Sequence, residues 1–281
     1  MDLSLFFSIV VVIFTVSNLA AMGLELNIRN SLTTLTSIHA ISLIFFLGWV
    51  VSPILALFLI WLLPLQEGHA AGLLLISLAP TAPFYPIVVA KAKGDMSFAG
   101  AFTLLTIIGT VILLPLLAPL LIQGLTINSW SLAQPLILMV LLPMTIGAFI
   151  KMLFPNLAKT IYPAIKKVGG LSLLVTLALT LTLYGKEMLG TIGSFAPGAQ
   201  FLFFIIISLL SYKVHFGLKQ QERSCIALGM CTRNIAAVFA AFFGIANPPE
   251  GMFVMVVLVV PIAAIVAFLF ALLFSKQVHE I

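Results

Sequence analysis

The chain has 281 residues, of which 62% are hydrophobic and only 7% are charged, and its mean hydropathy is +1.27. A water-soluble domain of this size could not cover its surface with so few charges. The composition therefore predicts a polytopic membrane protein. Its apolar runs of about 20 residues or more indicate helical spans, so the expected fold is all-α.

Nine such runs follow one another along the chain. The first, 3–22, has neither a basic n-region nor a small-residue cleavage site, so we expect a retained span rather than a signal peptide. The others are 34–63, 70–90, 96–122, 131–152, 169–185, 198–216, 223–244 and 252–274. The second run would be about 45 Å long as a straight helix. It must therefore tilt, kink near Pro53 or begin in the membrane interface.

The basic residues orient this nine-span arrangement. Eleven fall on one side: Arg29, Lys91, Lys93, Lys151, Lys159, Lys166, Lys167, Lys213, Lys219, Arg223 and Lys276. Only Lys186 falls on the other side, and Arg233 lies inside a span. Cytoplasmic loops carry the excess of basic residues. We therefore expect a protein of the cytoplasmic membrane with an external N-terminus and a cytoplasmic C-terminus. The net charge of +5 gives no reason to expect a nucleic-acid partner.

Two of the spans carry helix-breaking sequences at their middle. The third contains three prolines within seven residues, Pro80, Pro83 and Pro86, and a continuous helix cannot accommodate them. The eighth contains the polar sequence 231–234, which follows Gly229. The two spans run in opposite directions, and each is followed by one more span. This arrangement predicts inverted repeats, 1–125 with four spans and 126–281 with five, whose broken helices cross at mid-membrane as in secondary transporters.

Arg233 is the only Lys, Arg, Asp or Glu placed so deep in a predicted span. An arginine at the bilayer centre costs at least about 2.5–3.5 kcal/mol and usually faces protein or water for a functional reason. Broken helices also point free N–H groups and positive dipole ends toward the centre. Because guanidinium groups suit carboxylates and phosphates, the crossing region is expected to bind an anion. The alternative is a structural arginine that bonds neighbouring carbonyls.

Several stretches resemble the bile acid:sodium symporter family. Residues 79–95 resemble, without gaps, its Cys-Pro-Gly-Gly-Thr-x-Ser-Asn … Ala-Arg-Gly-Asp stretch. Residues 228–230 resemble the start of its Glu-x-Gly-Met-Gln-Asn-Ser crossover, and residues 22–24 its early Met-Gly-Leu. The resemblance extends over nearly the whole chain in span order. It implies a panel domain of spans 3–22, 131–152 and 169–185, and a core domain of 34–122 and 198–274 that holds the two crossing helices.

The resemblance does not extend to the family's sodium-binding side chains. Six matching positions hold a different residue: Gly48, Tyr85, Pro86, Ala99, Ala227 and Cys231. The position of the coordinating glutamate is Ala227, and of the implied side-chain ligands only Thr103 remains. Sodium needs several oxygen ligands, so we expect that transport does not depend on sodium in the family's manner. No other cofactor is expected.

The sequence thus predicts a secondary transporter of a small organic anion that works by alternating access in the lipid bilayer. Arg233 would bind the anionic group. The other predicted site residues would line the crossing region: Thr81, Phe84, Tyr85, Met230, Thr232 and Asn234. Alternatives are an anion channel and a non-transporting membrane receptor. An enzyme is not expected because no nucleophile–base or acid–base pair is evident. The sequence leaves substrate, coupling ion, transport direction and oligomeric state open.

Overall fold

The computed structural model describes residues 3–25, 38–122, 128–214 and 217–277. Within these ranges, seven helical stretches are long and apolar enough to cross a membrane. Many of their large apolar side chains are exposed, including Trp61 at 79% and Leu120 at 78%. Such a surface suits lipid rather than water. The predicted fold class, an all-α polytopic membrane protein, is confirmed.

Helices make up most of the described chain. In chain order they begin with α1 (Leu3–Glu25), α2 (Ile38–Phe46), α3 (Ser52–Leu62), α4 (Glu67–Ser77), α5 (Tyr85–Lys91), α6 (Met96–Leu121) and α7 (Ser129–Leu136). They continue with α8 (Leu142–Leu153), α9 (Pro155–Gly190), α10 (Ala196–Lys213), α11 (Gln220–Cys231), α12 (Ile235–Phe243) and α13 (Met252–Gln277). Both predicted interruptions are present, one between α4 and α5 and the other between α11 and α12.

Some sequence predictions lie outside the described residues. They concern Arg29, the start of the second span at 34, the end of the seventh at 216 and the boundary at 125–126 between the proposed halves. The total of nine spans and the inverted repeat stay predictions. The seven continuous stretches and the two interrupted ones are consistent with that count.

The predicted panel helices pack together. Helix α1 lies along both α8 and α9. At its contact with α8, a Cβ atom on Gly23 would lie 2.1 Å from the carbonyl oxygen of Met144, and one on Gly147 would lie 2.4 Å from that of Ala20. These two glycines let the backbones approach closely, as small residues do between membrane helices. The cluster of α1, α7–α8 and α9 is called the panel below.

One predicted boundary was wrong. The sixth span was expected at 169–185, whereas α9 begins at Pro155 and ends at Gly190. Proline suits the first turn of a helix, where its missing N–H needs no partner. The following turns carry Lys159, Lys166 and Lys167, so an apolar run could not reveal them. As a result, Lys166 lies on a panel helix instead of in a loop.

The remaining helices form the core. The second interrupted pair, α11–α12, packs through α11 on α6 and α10, while α4 of the first pair packs on α3 and α13. The kink expected near Pro53 is a π-helical turn at Leu47–Val51, just before that proline. A second π-helical turn, Ile137–Leu141, precedes Pro143 between α7 and α8. The wider turn accommodates a proline ring that would otherwise collide with the preceding turn.

Candidate functional site

The two interrupted segments cross each other through their backbones. Pro80 and Arg233 form an antiparallel bridge, the one place where the two breaks pair in the manner of strands. The backbone N–H of Asn234 donates to the carbonyl of Ala79 at 2.9 Å. Each break leaves backbone groups without helical partners, and the other break satisfies several of them. The two half-helix pairs are therefore held as one unit, called the crossover below.

Thr81 fixes the first half of the crossover. Its φ of 76° places it in the left-handed region, which is uncommon for a residue other than glycine. In this conformation its amide donates to the carbonyls of Gly229 and Thr232, at 3.1 and 2.9 Å. Gly229 is needed for a separate reason, since a Cβ atom there would lie 2.1 Å from Cε1 of Phe102. The glycine that the sequence marked beside the break thus allows close packing on α6.

The guanidinium group of Arg233 is held by neutral groups. It donates to Oγ of Ser52 at 2.9 Å and, over a long 3.4 Å, to the carbonyl of Ser77 at the C-terminal end of α4. It also lies 5.0 Å from the ring centroid of Phe203. A helix C-terminus carries partial negative charge and so stabilises a cation. The terminal nitrogens are thus engaged by the protein, and only Nε has no hydrogen-bond partner.

Three buried polar atoms of the crossover lack a hydrogen-bond partner in the structure. They are Nε of Arg233, Oγ1 of Thr81 and Nδ2 of Asn234. The other end of the Asn234 side chain is used, because its Oδ1 accepts from the amide of Ala237 and caps α12. Buried polar groups are nearly always paired, so each exception calls for an explanation such as a ligand. All three belong to the residues where the two interrupted segments meet.

A cavity of about 210 Å³ lies beside the crossover, between panel and core. We call it the basic cavity, because Arg233 and Lys166 are among its lining residues. Most of its other residues are apolar: Phe14, Ala82, Pro83, Phe84, Ile87, Leu173, Ile235, Val259, Val260 and Ala263, with Asn18 and Gly170 completing the wall. Ligand cavities characteristically combine such an apolar lining with a few placed polar groups.

Two predicted site residues, Arg233 and Phe84, line this cavity. Two others face elsewhere. The hydroxyl of Tyr85 donates to the carbonyl of Cys225 at 3.0 Å, and its ring packs on that of Phe102 with 5.4 Å between centroids. The methyl end of Met230 lies beside Gly48, 3.5 Å from where a Cβ atom would be. Tyr85 and Met230 thus support the crossover from within the core.

The predicted threonines have local partners. Oγ1 of Thr232 donates to the carbonyl of Leu228 at 3.0 Å and lies 3.3 Å from the amide of Ala82. It therefore ties the two breaks together. Thr103, the residual sodium-site match, donates its hydroxyl to the carbonyl of Ala99 one turn earlier in α6. Among the described residues no group of three or more His, Cys, Asp and Glu side chains could hold a metal ion.

Sequence reasoning missed the panel side of the cavity. Asn18 lies on α1, where the Nδ2 atom of its side chain donates to the carbonyls of Phe14 and Gly169 at 2.9 and 3.2 Å. Lys166 was assigned only to a cytoplasmic loop. The proline at residue 155, a helix-start signal, could have extended the helix and brought Lys166 into consideration.

A second cavity of about 700 Å³ lies at the other end of α9. We call it the acidic cavity, because Glu67, Glu187 and Glu250 line it. His69 also lines it, is 5% exposed, and has an Nδ1 atom without a hydrogen-bond partner. The carboxylates belong to both parts of the molecule, since Glu187 is on the panel and the other two are on the core.

Aromatic rings from panel and core meet in one cluster. Phe253 of α13 is at its centre, with ring centroids 4.6 Å from Tyr184 and 5.5 Å from Phe7 on the panel. On the core side it lies 5.7 Å from Phe239 and 5.4 Å from Phe242. These distances are typical of favourable ring–ring contacts. Panel and core therefore pack against each other through this aromatic cluster.

Two comparisons with known proteins agree with the family resemblance seen in the sequence. A family model described as the Sodium Bile acid symporter family matches residues 11–191. The match includes the first interrupted segment and ends before the second. The probable sodium/metabolite cotransporter BASS1 of chloroplasts in Arabidopsis thaliana is 32% identical over 126 residues. That alignment covers 44% of this chain and 31% of the plant protein, so less than a third of the relative's length is matched.

Proposed function

This chain belongs to the sodium bile acid symporter family, and we propose that it is a secondary active transporter of a small organic anion in the cytoplasmic membrane. The observation that carries this proposal is the crossover. Three buried polar atoms there lack a hydrogen-bond partner, and Arg233, which carries one of them, lines the basic cavity. In transporters with broken helices, half-helix N-termini characteristically face anionic substrate groups. Here α12 begins at Ile235, directly after the second break.

The charge of the site supports an anionic substrate. Arg233 is 2% exposed, and every contact that holds its guanidinium group is with a neutral residue. A buried positive charge without a counter-ion is costly, and a bound anion would offset that cost. Nε is a buried donor without a hydrogen-bond partner, while the terminal nitrogens bond Ser52 and Ser77. The unpartnered atoms of Thr81 and Asn234 belong to the same crossover, although neither residue lines the cavity.

The position of the cavity supports alternating access. A substrate there would touch the panel on one side and the core on the other. The aromatic cluster joins the same two bodies, so relative movement of panel and core would open one side of the substrate as it closes the other. A channel would instead need a continuous polar path, and the aromatic cluster interrupts one.

We propose that this chain departs from its family in its dependence on sodium. The name of the plant relative includes sodium. The sequence resemblance implies that Ala227 takes the position of the family's coordinating glutamate, although the family model matches residues 11–191 and so does not reach it. Unwound carbonyls and half-helix C-termini often coordinate the driving cation in such folds. In this chain the guanidinium group of Arg233 already lies at the C-terminus of α4. We therefore propose that its fixed charge replaces the charge of sodium.

A thermal-shift screen of the purified protein tests the proposal. Small carboxylates, sulfonates and phosphates, each with a neutral amide or alcohol analogue, are added in sodium buffer and in choline buffer of equal ionic strength. We expect at least one anion to raise the melting temperature equally in both buffers, with no response to its neutral analogue. Stabilisation by neutral compounds alone would contradict the proposed function. An anion response seen only with sodium would contradict the sodium-independent form of it.

A further inference from the structure

Lys166 and Arg233 line the basic cavity from different parts of the molecule. Lys166 belongs to α9 of the panel, whereas Arg233 belongs to the crossover of the core, and both line the same space of about 210 Å³. An anion between them would be attracted by a cation on each body. A flexible lysine can follow a bound carboxylate over several ångströms, which a guanidinium group fixed by Ser52 and Ser77 cannot do.

Lys166 presently has local partners that it could exchange. Its Nζ donates to the hydroxyl of Tyr162 at 2.5 Å and lies 4.9 Å from the centre of that ring. The carboxylate of Glu25, at the end of α1, is close enough for its charge to act on Lys166. All three side chains are partly or fully exposed. Charge–charge interactions between exposed side chains contribute little to stability, so the lysine can be redirected at small cost.

The rest of the lining restricts what this anion can be. Phe14, Phe84, Ile87 and Leu173 surround the cavity, and Asn18 uses its amide group to bond backbone carbonyls. A second carboxylate or several hydroxyl groups would lose hydration against these side chains without gaining partners. The cavity is also smaller than the 300–1,000 Å³ typical of sites for drug-sized ligands.

We propose that Lys166 is a second anion ligand, and that the basic cavity takes a small monoanion with a compact apolar body. The acidic group would lie between Lys166 and the Nε side of Arg233, with the apolar body against the phenylalanine and leucine side chains. This inference rests on the proposed function. It adds that the negative charge of the substrate would interact with Lys166 of the panel and with Arg233 of the core at the same time. Binding would therefore depend on the relative position of panel and core.

Binding of three probes to the purified full-length protein tests the ligand class. The probes are 3-methylbutanoate, its neutral amide 3-methylbutanamide, and the dianion succinate, each titrated by isothermal calorimetry. We expect binding of 3-methylbutanoate, at least about tenfold weaker binding of succinate, and none of the amide. Tighter binding of succinate would overturn the inference about the apolar body while leaving anion transport intact. Failure of 3-methylbutanoate to bind would overturn the ligand class.

Variants of the lysine test its role as a ligand. We expect Lys166→Gln to weaken 3-methylbutanoate binding about tenfold or more, and Lys166→Arg to retain most of the affinity. The matched control is Lys167→Gln, because Lys167 is the next residue on α9, is exposed and does not line the cavity. Glu25→Gln should strengthen binding by freeing Lys166. Equal affinities in Lys166→Gln and Lys167→Gln would overturn the role of Lys166 without affecting that of Arg233.

Discussion

The basic and acidic cavities lie along one helix and have opposite charge. Lys166 of α9 lines the first and Glu187 of the same helix lines the second. Their separation of 21 residues corresponds to about 32 Å along an α-helix, close to the thickness of a bilayer's hydrocarbon core. An anion is attracted to one and repelled from the other. This difference in charge supports the proposal that the substrate binds in the basic cavity, while the acidic cavity lies at the opposite end of the panel–core interface.

The two cavities also differ in how they are closed. Among the crossover residues that line the basic cavity, Arg233 is the polar one, and its Nε has no hydrogen-bond partner. The aromatic cluster lies toward the acidic cavity, since Tyr184 and Phe253 are one turn or less from its lining residues Glu187 and Val254. The interface thus combines a polar part that can bind an ion with an apolar part that can exclude one.

The largest expected effect concerns the side of the membrane on which each cavity opens. The described cysteines, Cys225 and Cys231, are both buried, so the background for thiol labelling is low. In intact cells, a membrane-impermeant maleimide should label Ile192→Cys, at a residue 74% exposed near the acidic cavity. Lys167→Cys should react only after permeabilisation. Labelling of both from the same side would refute the predicted topology.

The next effect concerns the cation of the crossover. Arg233→Gln should weaken anion binding about 10- to 150-fold, because a charge-assisted contact contributes roughly 1.5–3 kcal/mol. Arg233→Lys should retain part of the affinity. Arg223→Gln is the control, since Arg223 contacts the carbonyl and ring of Tyr212 outside the cavity. If Arg233→Gln lowers the melting temperature but leaves calorimetric affinity unchanged, the arginine has only a structural role.

A smaller effect is expected from opening the aromatic cluster. Phe253→Ala removes the central ring, and because that ring is partly buried we expect a loss of about 1–3 kcal/mol of stability. In an Ile235→Cys background, it should also speed labelling of the basic cavity by a reagent applied from the acidic side. Phe268→Ala, on the same helix but 38% exposed, is the control. Unchanged labelling would show that the cluster does not close this path.

The smallest effect on anion affinity is expected from removing a negative charge in the acidic cavity. Glu187→Gln and Glu250→Gln should change anion affinity at the basic cavity by less than about twofold, because charges this far apart are screened beyond a Debye length of about 8–10 Å. The measurement is calorimetric titration at physiological salt. A gain much larger than twofold in either variant would mean that the two cavities communicate and that the anion also visits the acidic one.

Features with a strong local cause could be predicted from the sequence. Three closely spaced prolines break a helix wherever it lies, so the interruption between α4 and α5 was foreseeable. The apolar runs in turn revealed the membrane class. The panel grouping came from the family resemblance, and the packing of α1 on α8 and α9 agrees with it.

Side-chain directions within the crossover could not be predicted, because tertiary contacts determine them. Tyr85 turns toward Cys225 and the guanidinium group of Arg233 toward Ser52, and both partners are distant in sequence. Lys166 escaped notice because the first turns of α9 are polar, so hydropathy gives no signal there. Pro155 predicts where α9 begins, but it does not predict which face of that helix carries Lys166.

The most direct test of the central claim is anion counterflow without sodium. Proteoliposomes are loaded with an unlabelled anion that the thermal-shift screen identifies, and uptake of the radiolabelled anion is followed in choline buffer. The account predicts saturable uptake that sodium does not accelerate and that is largely lost in Arg233→Gln but kept in Arg223→Gln. A steep, saturable requirement for sodium would contradict it, since the fixed charge of Arg233 would then not replace the charge of sodium.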